Sequence, residues 1–208
     1  MKYRKERPFS MSRSQLTMPA TLSAERNAAD REILLDAAED LMYAHGVQAV
    51  GMDRIRAASG LSLKRIYSMF PTKEDLVVAM LRRRDQRWRG ALTAYVEQVD
   101  DPERRVPALF EWLRNWFGQD GFRGCAWINI HGELGTDSPA VLAEVRGHKA
   151  AFRAAIDEWV PARPEAAEAI YLLAEGAIVT AGITGDPTAA TRAEQAAAAI
   201  LSAATPKS

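Results

Sequence analysis

Three times along this 208-residue chain an Asp or Ser is followed at once by proline: Asp101-Pro102, Ser138-Pro139 and Asp186-Pro187. An Asp or Ser oxygen accepts from the free N–H groups of a first helical turn. Proline suits the next position, where no N–H is needed. The pattern predicts helices near 102–118, 138–160 and 187–204, and two more fit 124–134 and 164–183. No stretch alternates apolar and polar residues as a half-buried strand does. The chain reads as all-α, with roughly nine or ten helices.

The first part follows the same grammar. A helix is expected from Ser23 to His45, with Ile33, Ala37, Leu41 and Ala44 recurring on one face, Leu34, Ala38 and Met42 beside them, and Gly46 as its stop. Met52–Ser59 reads as a short helix with Gly51 at its N-cap, broken by Gly60. Ser62 caps a second short helix, Leu63–Phe70, which Pro71 ends. Thr72 then caps a long helix with Asp75 at its third position. Its buried stripe is Leu76, Met80, Leu81, Trp88, Leu92, Tyr95, Val96 and Val99, and the polar RRRDQR run at 82–87 is expected to face outward.

Charge divides the chain. Residues 1–89 hold 17 Lys and Arg against 11 Asp and Glu, whereas residues 90–208 hold 10 against 16. An excess of cations in the first part suits contact with a polyanion. No run of eighteen apolar residues marks a membrane span, and the basic start, MKYRKERPFSMSRSQLTMP, lacks the apolar core of a secretory signal. A single cysteine, Cys125, excludes an intramolecular disulfide framework and suits a cytoplasmic protein. Cys125 reads as a small buried thiol, or alternatively as a redox sensor. His131 and His148 have no metal-ligand spacing, so neither metal nor cofactor is expected.

Two short helices joined through Gly60 form a helix-turn-helix pattern, with Ile55, Ala58, Leu61, Ile66 and Phe70 as its small core. A DNA major groove just admits an α-helix. Ser62, Leu63, Lys64, Arg65 and Ser68 would lie nearest the bases: Lys64 and Arg65 suit guanine edges or phosphates, and Leu63 a thymine methyl. Tyr67 and Lys73 would hold phosphates and set register. The alternative is an ordinary helical hairpin with a solvated cationic face.

The stretch REILLDAAEDLMYAHGVQAVGMDRIRAASGLSLKRIYSMFPTKEDLVVAML, residues 31–81, resembles the DNA-binding domain of the tetracycline-repressor (TetR) family. The matching marks are Ile33-Leu34 with Ala37-Ala38 before Gly46, Ile55, Gly60-Leu61-Ser62, Ile66-Tyr67, Phe70 and Lys73-Glu74-x-Leu76. The resemblance implies a homodimeric transcription factor, usually a repressor, with an N-terminal three-helix helix-turn-helix domain and a larger helical ligand-binding and dimerisation domain. Gly51, Arg54, Arg56 and Ser59 depart from the family pattern. Arg56 reads equally as an extra DNA contact or a surface cation.

The expected organisation is therefore a disordered basic arm over 1–22, a DNA-binding domain over 23–71 and a larger helical domain over 72–208. Lys2, Arg4, Lys5, Arg7 and Arg13 of the arm would enter a minor groove or stay solvated. Val141, Val145, His148, Phe152, Ile156 and Trp159 form a near-heptad stripe, and Ala174, Gly176, Ala177, Ala181 and Gly182 a small-residue one. With the family resemblance, Val145, His148, Phe152, Trp159, Ala174, Ala177 and Ala181 are expected at a dimer interface; the alternative is packing within one chain. Trp88, Tyr95, Trp112, Trp116, Trp127 and His131 are candidates to line a pocket for a hydrophobic or aromatic inducer, or else plain core. The expected partners are a palindromic double-stranded operator, a second copy of the chain and a small-molecule inducer, without a membrane. The chain is expected not to be an enzyme. The alternatives are an activator, or a helical-bundle enzyme using His131 and Glu133.

Overall fold

The computed structural model describes residues 20–203, with side chains from Ser23. The basic arm and its cations lie outside the described residues, apart from the backbone of Ala20–Leu22. The described residues form nine α-helices and no strand. These are α1 (Ala20–His45), α2 (Met52–Ser59), α3 (Leu63–Met69), α4 (Lys73–Glu97), α5 (Arg105–Phe117), α6 (Ala126–Leu134), α7 (Pro139–Trp159), α8 (Pro164–Thr184) and α9 (Thr188–Ala203). A 3-10 turn, Pro102–Arg104, precedes α5.

The caps fall where the sequence puts them. Ser62 accepts from the Arg65 amide, Ser138 from Val141, and Asp101 from Glu103. Thr72 and Asp75 form a reciprocal capping box at the start of α4. Asp186 accepts from the Thr188 amide at 2.9 Å, so α9 begins one residue after its proline. Gly60 closes α2 in the left-handed region at φ 69°, which residues with a Cβ avoid.

Helices α1–α3 make a head, and α4 runs from its base into a body formed with α5–α9. Helix α1 packs on α2 and α4. In the body, α4 packs on α5 and α7, and α8 lies against α7 and α9. Leu34, Leu35, Ala38, Met42, Ile55, Ile66 and Phe70 are buried in the head. Two expectations about faces fail here. The buried side of α1 is turned from the expected one, leaving Ile33 47% exposed, because Leu34, Leu35 and Ala38 meet α2 and α4 instead. Ala58 is exposed rather than part of the small core, since Ile55 alone of α2 turns fully inward.

The RRRDQR run departs from expectation only in part: Arg82, Gln86 and Arg87 are exposed as expected. Arg83 and Arg84 are largely buried, because α1 brings Glu32, Asp36 and Glu39 against them. Likewise Val145, His148, Phe152, Trp159, Ala174, Ala177 and Ala181 are all buried within one chain. The heptad-like stripe of α7 packs on α4, α6 and α8, which leaves these residues no surface to offer a second copy.

Helix α8 is long and apolar enough to cross a membrane, yet it packs between α7 and α9. Its small residues permit close approach: a Cβ on Gly182 would stand 2.8 Å from the Gly124 Cα. By contrast, a Cβ on Gly90, exposed in α4, would meet nothing within 4 Å. Gly182→Ala should therefore destabilise the fold by about 1–3 kcal/mol through overpacking against backbone. Gly90→Ala should stabilise it by about 0.5–1 kcal/mol through helix propensity. Urea denaturation of the two variants checks the opposite signs.

Candidate nucleic-acid interface

Helix α3 is seven residues long, and its presentation depends on what anchors it. Ile66 has no exposed surface and Phe70 is buried at its C-cap. Ser62 fixes the first turn through a 3.2 Å bond from the Arg65 amide. With that face held down, Lys64, Tyr67 and Ser68 point to solvent, Tyr67 being 45% exposed despite its ring. Gly51 and Arg56 are exposed on the neighbouring α2, Arg56 lying 3.5 Å from Asp53. Arg54, not among the expected contacts, is exposed beside them.

Three expected contacts have other duties in this conformation. Arg65 turns back to α1, where its guanidinium bonds Asp30 at 2.8 Å and also Asn27. It braces α3 rather than reaching outward. The Lys73 ammonium donates to the Val47 carbonyl at 2.6 Å, closing the α1–α2 turn onto the start of α4. Leu63 is half-buried against the core, so its side chain supports the turn. Ser68 remains exposed, although its hydroxyl donates to the Arg65 carbonyl at 2.7 Å.

The head is tied to the body by two carboxylates, and also by the Tyr43 hydroxyl of α1, which donates to the Gly124 carbonyl and accepts from the Arg123 amide, both at 2.8 Å. Glu39 of α1 meets Arg83 at 3.1 Å and Arg84 at 2.6 Å, and also bonds Arg87, all three from α4. Arg83 further bonds Glu32 and Asp36 at 2.8 Å. The second tie is Glu133 of α6. Its carboxylate accepts from the Val47 and Gln48 amides at 3.0 and 2.7 Å, and its carbonyl accepts from the Gln48 side chain. Glu133 is thus fully engaged, and His131 beside it is exposed, so the pair forms no catalytic site.

The pocket candidates separate into two groups. Trp88, Trp112 and Trp116 gather, with the Trp88 ring edge-on to the other two at 5.2 and 5.5 Å. They line a cleft of about 310 Å³ between α4 and α5. Trp127 instead stacks flat on His148 at 3.5 Å deep in the body. Tyr95 is partly buried further along α4, and His131 lies on the α6 surface. The polar groups inside the body have no counterpart in the sequence reading. Asp85 accepts from His148 Nδ1 at 2.7 Å and from Arg89. Lys149 bonds Glu175 at 2.6 Å and lies 3.3 Å from the buried Cys125 sulfur. Only their spacing on α4 and α7 could have hinted at this, and the expected outward turn of 82–87 hid it.

Residues 34–80 match the family described as bacterial regulatory proteins, tetR family. The chain's head, with the start of α4, is a TetR-family domain. Most of the chain shares the fold of solved structures of that family. A TetR-family transcriptional regulator from Streptomyces coelicolor superposes with a TM-score of 0.77 at 25% identity, covering 84% of this chain and 95% of that one. A TetR transcriptional regulator from Chloroflexus aurantiacus shares the fold at 21% identity, with a TM-score of 0.75 over 86% and 96% of the two chains. An uncharacterized HTH-type transcriptional regulator of Mycobacterium tuberculosis is 31% identical over 128 residues. The aligned stretch is 59% of this chain and 62% of the relative's length. These relatives are named as transcriptional regulators.

Burial of His148 disfavours its charged form and depresses its pKa to about 4, against the pull of Asp85. Asp85 is itself desolvated, yet bonds from Arg89 and His148 keep its pKa below the usual value. Between pH 6.5 and 4 the unfolded chain binds a proton at this histidine that the folded chain refuses. Stability therefore falls as pH drops through that window. From pH 7 to pH 5 the loss from this group is about 2 kcal/mol. His148→Gln, which keeps a donor for Asp85, should flatten the dependence of urea midpoint on pH over that range.

Proposed function

We propose that this TetR-family chain is a homodimeric DNA-binding transcriptional regulator, acting as a repressor that a small ligand releases from a palindromic operator. The observation that carries the DNA reading is the outward face of α3. Lys64, Tyr67 and Ser68 stand exposed on a helix whose opposite face is anchored by Ile66 and Phe70. Lys64 would read a base edge, Tyr67 would hold a phosphate, and Arg54 and Arg56 would add sequence-independent attraction. Arg65 would support α3 through Asp30, and Lys73 would hold the turn.

A second copy would cover the outer face of α8. Leu172, Gly176, Val179 and Ile183 follow one another at helical spacing, with Leu172 59% and Ile183 81% exposed. A groove of about 300 Å³ runs beside them towards α9, bounded by Leu172, Gly176, Thr180 and Arg192. Pairing α8 and α9 with their two-fold mates would make a four-helix interface. It would set two α3 helices about 34–36 Å apart, one turn of DNA.

The test is a gel shift with DNA from upstream of the protein's own gene at moderate salt. Lys64→Ala should relax preference at one base pair, at a cost of about 1–3 kcal/mol. Tyr67→Phe should weaken all sequences alike. No sequence-specific complex at all would refute the reading. In sedimentation, Ile183→Glu combined with Leu172→Glu should yield a folded monomer that no longer shifts the operator; a dimer that persists would exclude the α8 face.

A further inference from the structure

Helices α4 and α5 face each other with the same spacing. Arg84, Arg87, Trp88 and Ala91 on α4 sit at i, i+3, i+4 and i+7, and Trp112, Asn115 and Trp116 on α5, with Gln119 just past its end, repeat that spacing. Such spacing places each set on one helix face. Together they wall the cleft of about 310 Å³, and Glu39 of α1 closes one end. The walls are of two kinds. Trp112 and Trp116, 5.8 Å apart and tilted by 32°, offer partly exposed aromatic faces. Arg84 and Arg87 offer two guanidinium groups, both paired with Glu39, and Arg87 also lies 3.8 Å from Asp36.

Two buried donors in these walls, Trp88 Nε1 and Arg84 Nε, have no hydrogen-bond partner among the described residues. Trp88 is only 7% exposed, so its indole N–H has little access to water. Arg87 is 53% exposed at the same place, its guanidinium shared between Glu39 and Asp36. Aromatic faces beside forked cations recognise a flat ring that carries an anion. A planar carboxylate matches guanidinium geometry in two parallel bonds.

We infer that the α4–α5 cleft binds an aromatic carboxylate, whose anion competes with Glu39 for Arg84 and Arg87. The ring lies against Trp112 and Trp116, and the carboxylate takes the arginines at the closed end. A ligand bound this way draws α4 cations away from α1, and so loosens the head from the body. This consequence for DNA rests on the regulator reading; the binding itself does not. A ligand shifts the head only through its difference in affinity for the tied and loosened states, and competition for the same arginines supplies that difference.

The test is calorimetric titration of the full-length protein, without DNA, using 2-naphthoate and its neutral counterpart 2-naphthalenemethanol. Naphthoate is expected to bind at least tenfold more tightly than the alcohol. Arg87→Gln should abolish that advantage, Trp116→Ala should weaken both compounds at least tenfold, and Glu39→Gln, which removes the competitor, should tighten naphthoate several-fold. Equal affinity for the two compounds, an advantage that survives Arg87→Gln, or no measurable binding would overturn the assignment. In a separate anisotropy experiment on labelled operator DNA, saturating naphthoate should weaken binding at least tenfold. Failure of the protein to bind any DNA would remove the regulator reading and leave the calorimetric result standing.

Discussion

One carboxylate holds the two halves of this molecule in register. Glu39 sits in α1, in the head, and every arginine it meets belongs to α4, the helix that passes from head to body. The group is largely out of water: the Glu39 and Arg83 side chains are 12% and 11% exposed. Coulombic attraction is stronger there than at an open surface, and an unmatched charge correspondingly more costly. Removing one member of such a cluster typically costs about 3–5 kcal/mol, because its partners stay buried and unpaired. The same interaction ties the orientation of α3 to the position of α4. Glu133 adds a second tie from α6 to the α1–α2 turn, where Gly46 has φ 88° and a Cβ would come within 3.0 Å of its carboxylate.

Local physics made much of the fold readable. Caps and glycines act over three or four residues, so Ser62, Thr72, Ser138 and Gly60 behave as their neighbours in sequence require. Ile55 and Ile66 went inward, as the small core of the helix-turn-helix pattern requires. What could not be read locally was the partner of each face. The run at 82–87 looks like a solvated surface until α1 supplies three acids opposite it. Arg65 looks like a base reader until Asp30, thirty-five positions earlier, takes its guanidinium. The stripe from Val145 to Trp159 has the period of an interface, but period alone does not say whether the partner helix belongs to the same chain. Here it does, and the exposed apolar face lies instead on the opposite side of α8.

The body is less uniformly apolar than its composition suggests. His148 is clamped between the Trp127 face and the Asp85 carboxylate, and Lys149 between Glu175 and Cys125. These polar links join α4 to α7 and α7 to α8, the helices whose relative positions a ligand would have to change. Such groups reward one packing over its neighbours, because a shifted helix leaves a buried charge unmatched. A bundle cross-linked in this way moves between discrete arrangements rather than deforming smoothly.

The dependence of head on body is tested most directly by amide hydrogen exchange on the Glu39→Gln protein. The tie predicts that amides of α1, α2 and α3 exchange faster as a group, while those of α7, α8 and α9 keep their wild-type rates. Unchanged exchange in the head, or acceleration spread equally through all nine helices, would contradict it.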